Sequence, residues 1–261
     1  MSDIAFSVFT KPWRCDLDQL GEKISALGFS HIEFPVRPNY PVTPETVDQL
    51  PAAARTLAKH GVTIHSVAGP TDEATIRACG EAGVPIIRTM ARVPQGANYT
   101  ECVQALRTEY RALVPALEES RVAIGVQNHC NRFVANALGL QQLLDGFDPR
   151  HVAAVWDAAH EALNGVDPDM ALDVIWPQLC MVNLKNGYWK RMTGPEAETS
   201  KWRSYWTAGH LGLCSWPTVV EELKKRGYQG VICLTAEYSD EESVDRLIAA
   251  DLAYARSLFS A

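Results

Sequence analysis

Short apolar runs that stop abruptly at polar residues recur along this chain, each followed by a segment of helical spacing. That alternation narrows the fold more than any other feature. Residues 152–156 (VAAVW) halt at Asp157, with His160 three residues on. Residues 179–184 (LCMVNL) halt at Lys185 and Asn186, and Pro168 opens a helical segment between the two runs. An apolar run ending in charge is how a buried parallel strand delivers side chains to a site at its C-terminal end.

The whole sequence repeats the pattern. Strands are predicted over 4–9, 31–35, 62–67, 85–91, 122–127, 152–156, 179–184 and 230–236. Helices are predicted over 17–27, 43–60, 72–82, 98–120, 137–146, 168–175, 217–226 and 243–259. Asp16 and Thr43 supply N-caps, Pro44 a first helical position, and Gly28, Gly61, Gly83 and Gly227 the stops. Parallel strands need crossover connections, so the alternation predicts an α/β fold with a parallel sheet under helices. Eight such units in 261 residues favour a closed (β/α)8 TIM barrel, a single domain over 1–261. The alternative is an open doubly wound sheet. It usually carries a glycine-rich loop after its first strand, and Thr10-Lys11-Pro12-Trp13-Arg14 is no such loop.

Residues 186–216 have no clear periodicity and hold Trp189, Trp202, Trp206 and Trp216, with Tyr188, Tyr205 and His210. A long loop in a compact domain is a packed excursion, an interface or a lid. Aromatic faces suit both stacking on a polar substrate and self-association, so a homo-oligomer is one expectation.

Composition excludes several classes of function. No run approaches the roughly 18 apolar residues of a membrane helix. The first residues lack a basic region followed by an apolar core, so a cytoplasmic protein is expected. The seven cysteines are scattered and without CxxC spacing, which reads as reduced thiols. A net charge of −7 disfavours nucleic acid as a partner.

On a barrel, the strand ends assemble the site. They carry Lys11 and Trp13; Glu33 and Arg37; His65; Arg88 and Arg92; Gln127, Asn128 and His129; Asp157 and His160; Asn183 and Lys185; and Glu237. Alternation sets Gln127 with His129, and Asn183 with Lys185, on one face. Glu33, His65, Arg88 and His160 each have a structural alternative as rim pairs, satisfied core groups or caps. Asp157 and Glu237 are harder to read as purely structural, because a carboxylate ending an apolar strand pays desolvation unless it meets a cation or donor.

Strand five ending near Asn128-His129, Asp157-x-x-His160, Val182-Asn183-Leu184-Lys185-Asn186 and the strand ending at Glu237 resemble the xylose-isomerase-like TIM barrels. So do Gly227-Tyr228-x-Gly230 and Gly209-His210-Leu211-Gly212 with Trp216. The group includes sugar isomerases and epimerases, hydroxypyruvate isomerase, inosose dehydratase and, more distantly, endonuclease IV. The resemblance implies a barrel acting on a small carbohydrate, with a divalent ion at positions 127, 157, 183 and 237. Asp157 and Glu237 match that pattern. Gln127 stands in place of Glu, Asn183 in place of His, and Asn186 in place of Asp. Amide oxygens suit Mn²⁺ or Mg²⁺ better than Zn²⁺, without the charge that makes binding tight.

The resemblance also implies proton abstraction next to a carbonyl. Glu237 is the expected base, with His129, His160, Lys185 or Glu33 as its partner. Lys185 suits an enolate oxygen. Glu33, Arg37, His65, Arg88, Trp13 and Trp206 are expected to line the substrate. The competing readings are a dehydratase or lyase, and a sugar-binding barrel without turnover. An endonuclease IV-like enzyme needs more histidine ligands and a basic surface.

Overall fold

The computed structural model describes residues 4–260. Eight strands close into a barrel: β1 (Ala5–Phe9), β2 (His31–Pro35), β3 (Thr63–Ala68), β4 (Ile86–Met90), β5 (Ala123–Gln127), β6 (Val152–Asp157), β7 (Leu179–Leu184) and β10 (Val231–Leu234). Every neighbouring pair is parallel, and β10 closes the ring between β7 and β1. The helices α1 (Leu17–Ala26), α2 (Leu50–Ala58), α3 (Glu73–Ala82), α4 (Tyr99–Ser120), α5 (Ala137–Leu144), α6 (Ala158–Leu163), α7 (Pro168–Ile175) and α8 (Trp216–Lys225) lie in the crossovers, and α9 (Val244–Ser260) follows the last strand. Among the described residues, no helix is long and apolar enough to cross a membrane.

Local chemistry sets the ends of these helices. The carboxylates of Asp16 and Asp72 accept from the backbone N–H three residues on, and the Asn98 and Asn136 amides do the same for α4 and α5. Three expectations need correction. The predicted 43–60 helix is broken, with a 3-10 turn over Pro44–Gln49 preceding α2. Pro51 has no N–H to continue the ladder, and Thr46 leaves the helical region at φ −121°, ψ 26°. The chain after β6 forms α6, which begins directly on Asp157.

The third correction concerns residues 186–216. They include an antiparallel hairpin, β8 (Asn186–Arg191) with β9 (Trp202–Thr207). Both faces of β9 carry aromatics, so no apolar–polar alternation marks it in sequence. Trp189 donates from its indole to the Leu163 carbonyl, fixing the hairpin on α6. Trp206 N–H donates to Ser239 Oγ, and Ser239 N–H to the Trp206 carbonyl, tying β9 to the exit of β10.

The main core lies between strands and helices, where Ile32, Phe34, Ile87, Ile124 and Trp156 are fully buried. A smaller cluster of Phe9, Ala68, Ile86, Val155, Met181 and Cys233 plugs the barrel itself. Above this plug, alternation turns the next inward residues of each strand toward the C-terminal mouth. The plug leaves no space at Gly125, where an added Cβ would lie 2.6 Å from Val155 Cγ2 and 3.1 Å from Ile86 Cγ2. Gly125→Val is therefore expected to cost about 1–3 kcal/mol through overpacking, read as a lower urea midpoint at unchanged m-value.

Candidate functional site

Glu237 ends the β10 segment at the mouth. Ala236 before it takes φ 50°, a left-handed conformation unusual for a residue with a side chain, and so turns Glu237 inward. Lys11 Nζ lies 2.5 Å from Glu237 Oε1, and Lys185 Nζ 3.0 Å from Oε2. Burial opposes the charge on Glu237, but the two ammonium groups overcome it and hold the carboxyl well below the usual range. Lys185 is raised above its ordinary value, with Glu237 and Asp157 outweighing its own burial. Its Nζ also sits 3.9 Å from the centre of the Trp206 ring, a cation–π contact.

A second set of contacts runs across the mouth. Glu33 Oε1 accepts from Ser66 Oγ and, at 2.7 Å, from Arg88 Nε. Arg88 Nη1 donates to Gln127 Oε1 at 2.5 Å, and Gln127 Nε2 donates to Asp157 Oδ2 at 2.8 Å. Arginine can only donate and a carboxylate only accept, so the Gln127 amide has one orientation here. Asp157 Oδ1 accepts from the N–H groups of Ala159 and His160 and caps α6. Burial pushes the Asp157 carboxyl up, against the pull of Lys185.

This pattern decides the fit of the expected divalent ion. A ligand set of Gln127, Asp157, Asn183 and Glu237 would need their oxygens turned to a common point. Gln127 instead gives its oxygen to Arg88 and turns its nitrogen toward Asp157. Glu237 uses both oxygens on ammonium groups. The four residues do not fit a divalent ion. Asn183 lies between Asp157 and Cys233 in register, buried, with neither amide atom hydrogen-bonded among the described residues.

The two expected histidines meet beside this network. The His129 and His160 ring centres lie 4.0 Å apart with the planes tilted by 36°, and His160 meets Trp206 edge-on at 5.1 Å. Cys130 N–H donates to His160 Nδ1, which places the His160 proton on Nε2, 3.9 Å from Asp157 Oδ2. His129 Nδ1 lies 2.9 Å from the Cys130 carbonyl; that oxygen only accepts, so the neutral ring keeps a free lone pair on Nε2. Burial lowers the pKa of both rings, in His160 with Lys185 adding to the effect. His129, Cys130 and His160 also form a group whose ligating atoms lie within 4.8 Å of one another. Their Nδ1 atoms are already engaged by the Cys130 backbone, and burial pushes the thiol up to about 11, so a thiolate is disfavoured.

Other expected residues are placed elsewhere. Trp13 is buried, and its indole donates to Asp245 Oδ1 on α9, so it braces the β1 exit and does not line the mouth. His65 sits at mid-strand, in the irregularity where the β2–β3 register jumps from Ile32/Ile64 to Glu33/Ser66. Its electrostatic neighbour is His31, burial pushes it down to about 4, and Ser66 takes the inward place beside Glu33. Arg37 does reach the mouth, with Arg88, at a cavity of about 270 Å³. A wider cavity of about 540 Å³ opens beside Lys11, Trp206 and Glu237.

One supporting group, Glu161, escaped the sequence reading. Glu161 Oε2 accepts from Asn128 Nδ2 and from the Trp156 indole, and Oε1 accepts from Ala137 N–H. Burial still pushes this carboxyl up to about 7. Asn128 in turn accepts from Asp157 N–H and donates to the Asp157 carbonyl, locking β5 to β6 under the site. The signal available was a second acid immediately after His160. Asn186 clamps the hairpin base, accepting from Cys214 N–H and donating to the Gly209 and Cys214 carbonyls. An added Cβ at Gly212 would lie 2.0 Å from its Oδ1.

A family model described as Xylose isomerase-like TIM barrel matches residues 22–258. The chain belongs to this family. Among solved structures it is similar to 3-keto-D-glucoside 4-epimerase, YcjR, from E. coli, with TM-score 0.74, 12% identity and coverage of 98% of this chain and 100% of that one. It is also similar to the probable 3-DHS dehydratase AsbF from Bacillus anthracis, with TM-score 0.69, 13% identity and coverage of 96% and 98%. D-psicose 3-epimerase from Clostridium cellulolyticum H10 aligns with TM-score 0.68, 14% identity and coverage of 98% and 99%. At these identities the likeness is one of fold. No curated protein matches the sequence.

Lys185→Met removes a buried cation that Asp157 and Glu237 both need. It is expected to cost about 2–3 kcal/mol at neutral pH, less than the 3–5 of a fully buried pair, because Lys11 still faces Glu237. Urea unfolding of the two proteins measures the difference.

Proposed function

We propose that this barrel is an enzyme that moves a proton next to the carbonyl of a small keto-sugar or sugar acid, as an isomerase or epimerase. The observation that carries this reading is a neutral imidazole beside paired ammonium groups. His129 is half-buried, and with Nδ1 on the Cys130 carbonyl its Nε2 is left to accept a proton. Lys11 and Lys185 both face Glu237 and set positive charge where an enolate oxygen would form. Family membership and the sugar-processing neighbours support a carbohydrate substrate.

The assignment of the base moves with the geometry. A carboxylate held by two ammonium groups is a poor proton acceptor, so Glu237 serves to position Lys11 and Lys185, and His129 takes the proton. As His129 Nε2 removes the α-proton, the electron pair moves onto the carbonyl oxygen. When the α-hydroxyl passes its proton to the enolate oxygen and His129 returns its proton to the former carbonyl carbon, the sugar is isomerised; when the α-carbon instead takes a proton from solvent or an ammonium group on its opposite face, it is epimerised. His160, buried and tied to Cys130, packs against the His129 ring and restricts its position. Trp206 covers Lys185 and keeps water from it. The Mn²⁺ or Mg²⁺ expected from the resemblance has no part in these steps, because the donor set does not suit it. One base beside ammonium acids would also suit loss of a β-hydroxyl, which makes a dehydratase the second reading.

Proton exchange tests this without knowledge of the product. In D₂O, a panel of ketoses and keto-acids is expected to exchange deuterium at the carbon next to the carbonyl, followed by NMR. His129→Gln should lower the exchange rate by about 10²–10⁴-fold. The kcat/KM profile should carry an acidic limb below the ordinary histidine value of 6.5, since burial lowers His129, and activity should rise as that ring loses its proton. Wild-type exchange in the carboxylate range, lost in Glu237→Gln and kept in His129→Gln, would return the base to Glu237.

A further inference from the structure

Among the described residues, four buried or half-buried cations gather at the mouth of the barrel, Lys11, Arg37, Arg88 and Lys185, with the buried or half-buried carboxylates Glu33, Asp157 and Glu237, while Arg14 at the rim is exposed. Three of the cations are paired. Lys11 and Lys185 share Glu237, and Arg88 holds Glu33. Arg37 is the remainder. Among the described residues its side chain makes no hydrogen bond and no ion pair. Its guanidinium lies 5.4 Å from the centre of the Phe9 ring. Arg88 lies over the same ring at 4.8 Å, so two guanidinium groups share one aromatic plate.

That arrangement is unfavourable without an anion. Burial and the charge of Arg88 both pull Arg37 below its ordinary value, while Glu33 and Glu237 attract it only across space. Arg88 donates from Nε and Nη1 and leaves Nη2 without a partner among the described residues. Both guanidinium groups line the cavity of about 270 Å³ at the ends of β2, β3 and β4, with Gly69, Pro70, Thr89 and Met90. This cavity adjoins the proposed reaction centre through Arg88 itself, whose Nη1 holds Gln127 and, beyond it, Asp157.

Resting on the proton-transfer reading above, the geometry points to an anionic substrate: a carboxylate or phosphate group of the sugar docks on Arg37 in this cavity. A planar guanidinium fork matches such groups through charge-assisted hydrogen bonds. A net charge of −7 would repel an anion from most of the surface, so a local excess of cations at the mouth also directs it there. Bound at Arg37, the anion separates two like charges and leaves the carbonyl end of the molecule to Lys11 and Lys185.

Calorimetric titration tests the subsite without requiring turnover. The probes are D-fructose, D-fructuronate and D-fructose 6-phosphate, which share one six-carbon keto-sugar chain and configuration and differ in their terminal group. At least one of the two anions is expected to bind ten-fold or more tightly than D-fructose at about 20 mM salt, and the advantage should shrink at about 0.5 M salt. Which anion it is distinguishes carboxylate from phosphate. Arg37→Met should bring the anion-to-neutral ratio close to one, with folding checked by thermal melting, and Arg37→Lys should keep part of the preference. Equal binding of neutral and anionic probes, or a preference that survives Arg37→Met, overturns the subsite. Failure of all three probes to bind overturns it together with the sugar-site reading. Deuterium exchange on a neutral ketose bound as tightly as the anions removes the anion subsite alone.

Discussion

Glu237 sits between two ammonium groups, and the chemistry of the mouth depends on that contact. A carboxylate at the end of a buried strand is too costly to desolvate alone. In this chain the compensation comes from Lys11 at the end of β1 and Lys185 at the end of β7. The same principle operates across the mouth, where Arg88 serves Glu33 and reaches Asp157 through the Gln127 amide. Three carboxylates are thus neutralised from within the protein. Gln127 has a specific place in this scheme. A glutamate there would add a fourth negative charge facing Asp157, whereas the amide donates to one neighbour and accepts from the other.

Charge compensation also divides the chemical roles. Groups fixed as ions by close partners make poor proton carriers and good electrostatic supports, which is the position of Glu237 and Lys185. Groups kept neutral by burial, with one nitrogen satisfied, can exchange protons near neutral pH, which is the position of His129. The hairpin completes the arrangement by laying Trp206 over Lys185 and against His160. Aromatic residues that suggested self-association are largely occupied within the chain. Trp189 anchors on α6, Trp216 is buried, and Trp202 remains exposed.

Most of the barrel was legible because its signals are local. Apolar runs ending at Asp157, Lys185 and Glu237, with a cap at Asp16 and stops at Gly28, Gly61 and Gly83, mark strands and helix boundaries without tertiary information. The failures have physical causes. The hairpin carries aromatics on both faces, so its period of two is hidden. Thr46 and Pro51 break a helix that apolar spacing alone would continue. His65 has the right type near a strand end, but a one-residue register jump decides where it points. Trp13 is fixed by Asp245, more than two hundred residues away in sequence. The role of Glu237 depends on two lysines from different strands, and no spacing rule pairs Lys11 with a residue at the far end of the chain.

The central claim is that cations belonging to the chain take the place of a divalent ion at this rim. It is tested most directly by elemental mass spectrometry of the purified protein, soaked in Mn²⁺ and then dialysed. The account predicts Mn retention far below one ion per chain, unchanged in Asp157→Asn. Near-stoichiometric Mn that survives dialysis and disappears in Asp157→Asn would contradict it. Gln127 and Asn183 would then have to turn their oxygens to the metal, and Glu237 would have to release at least one of its lysines.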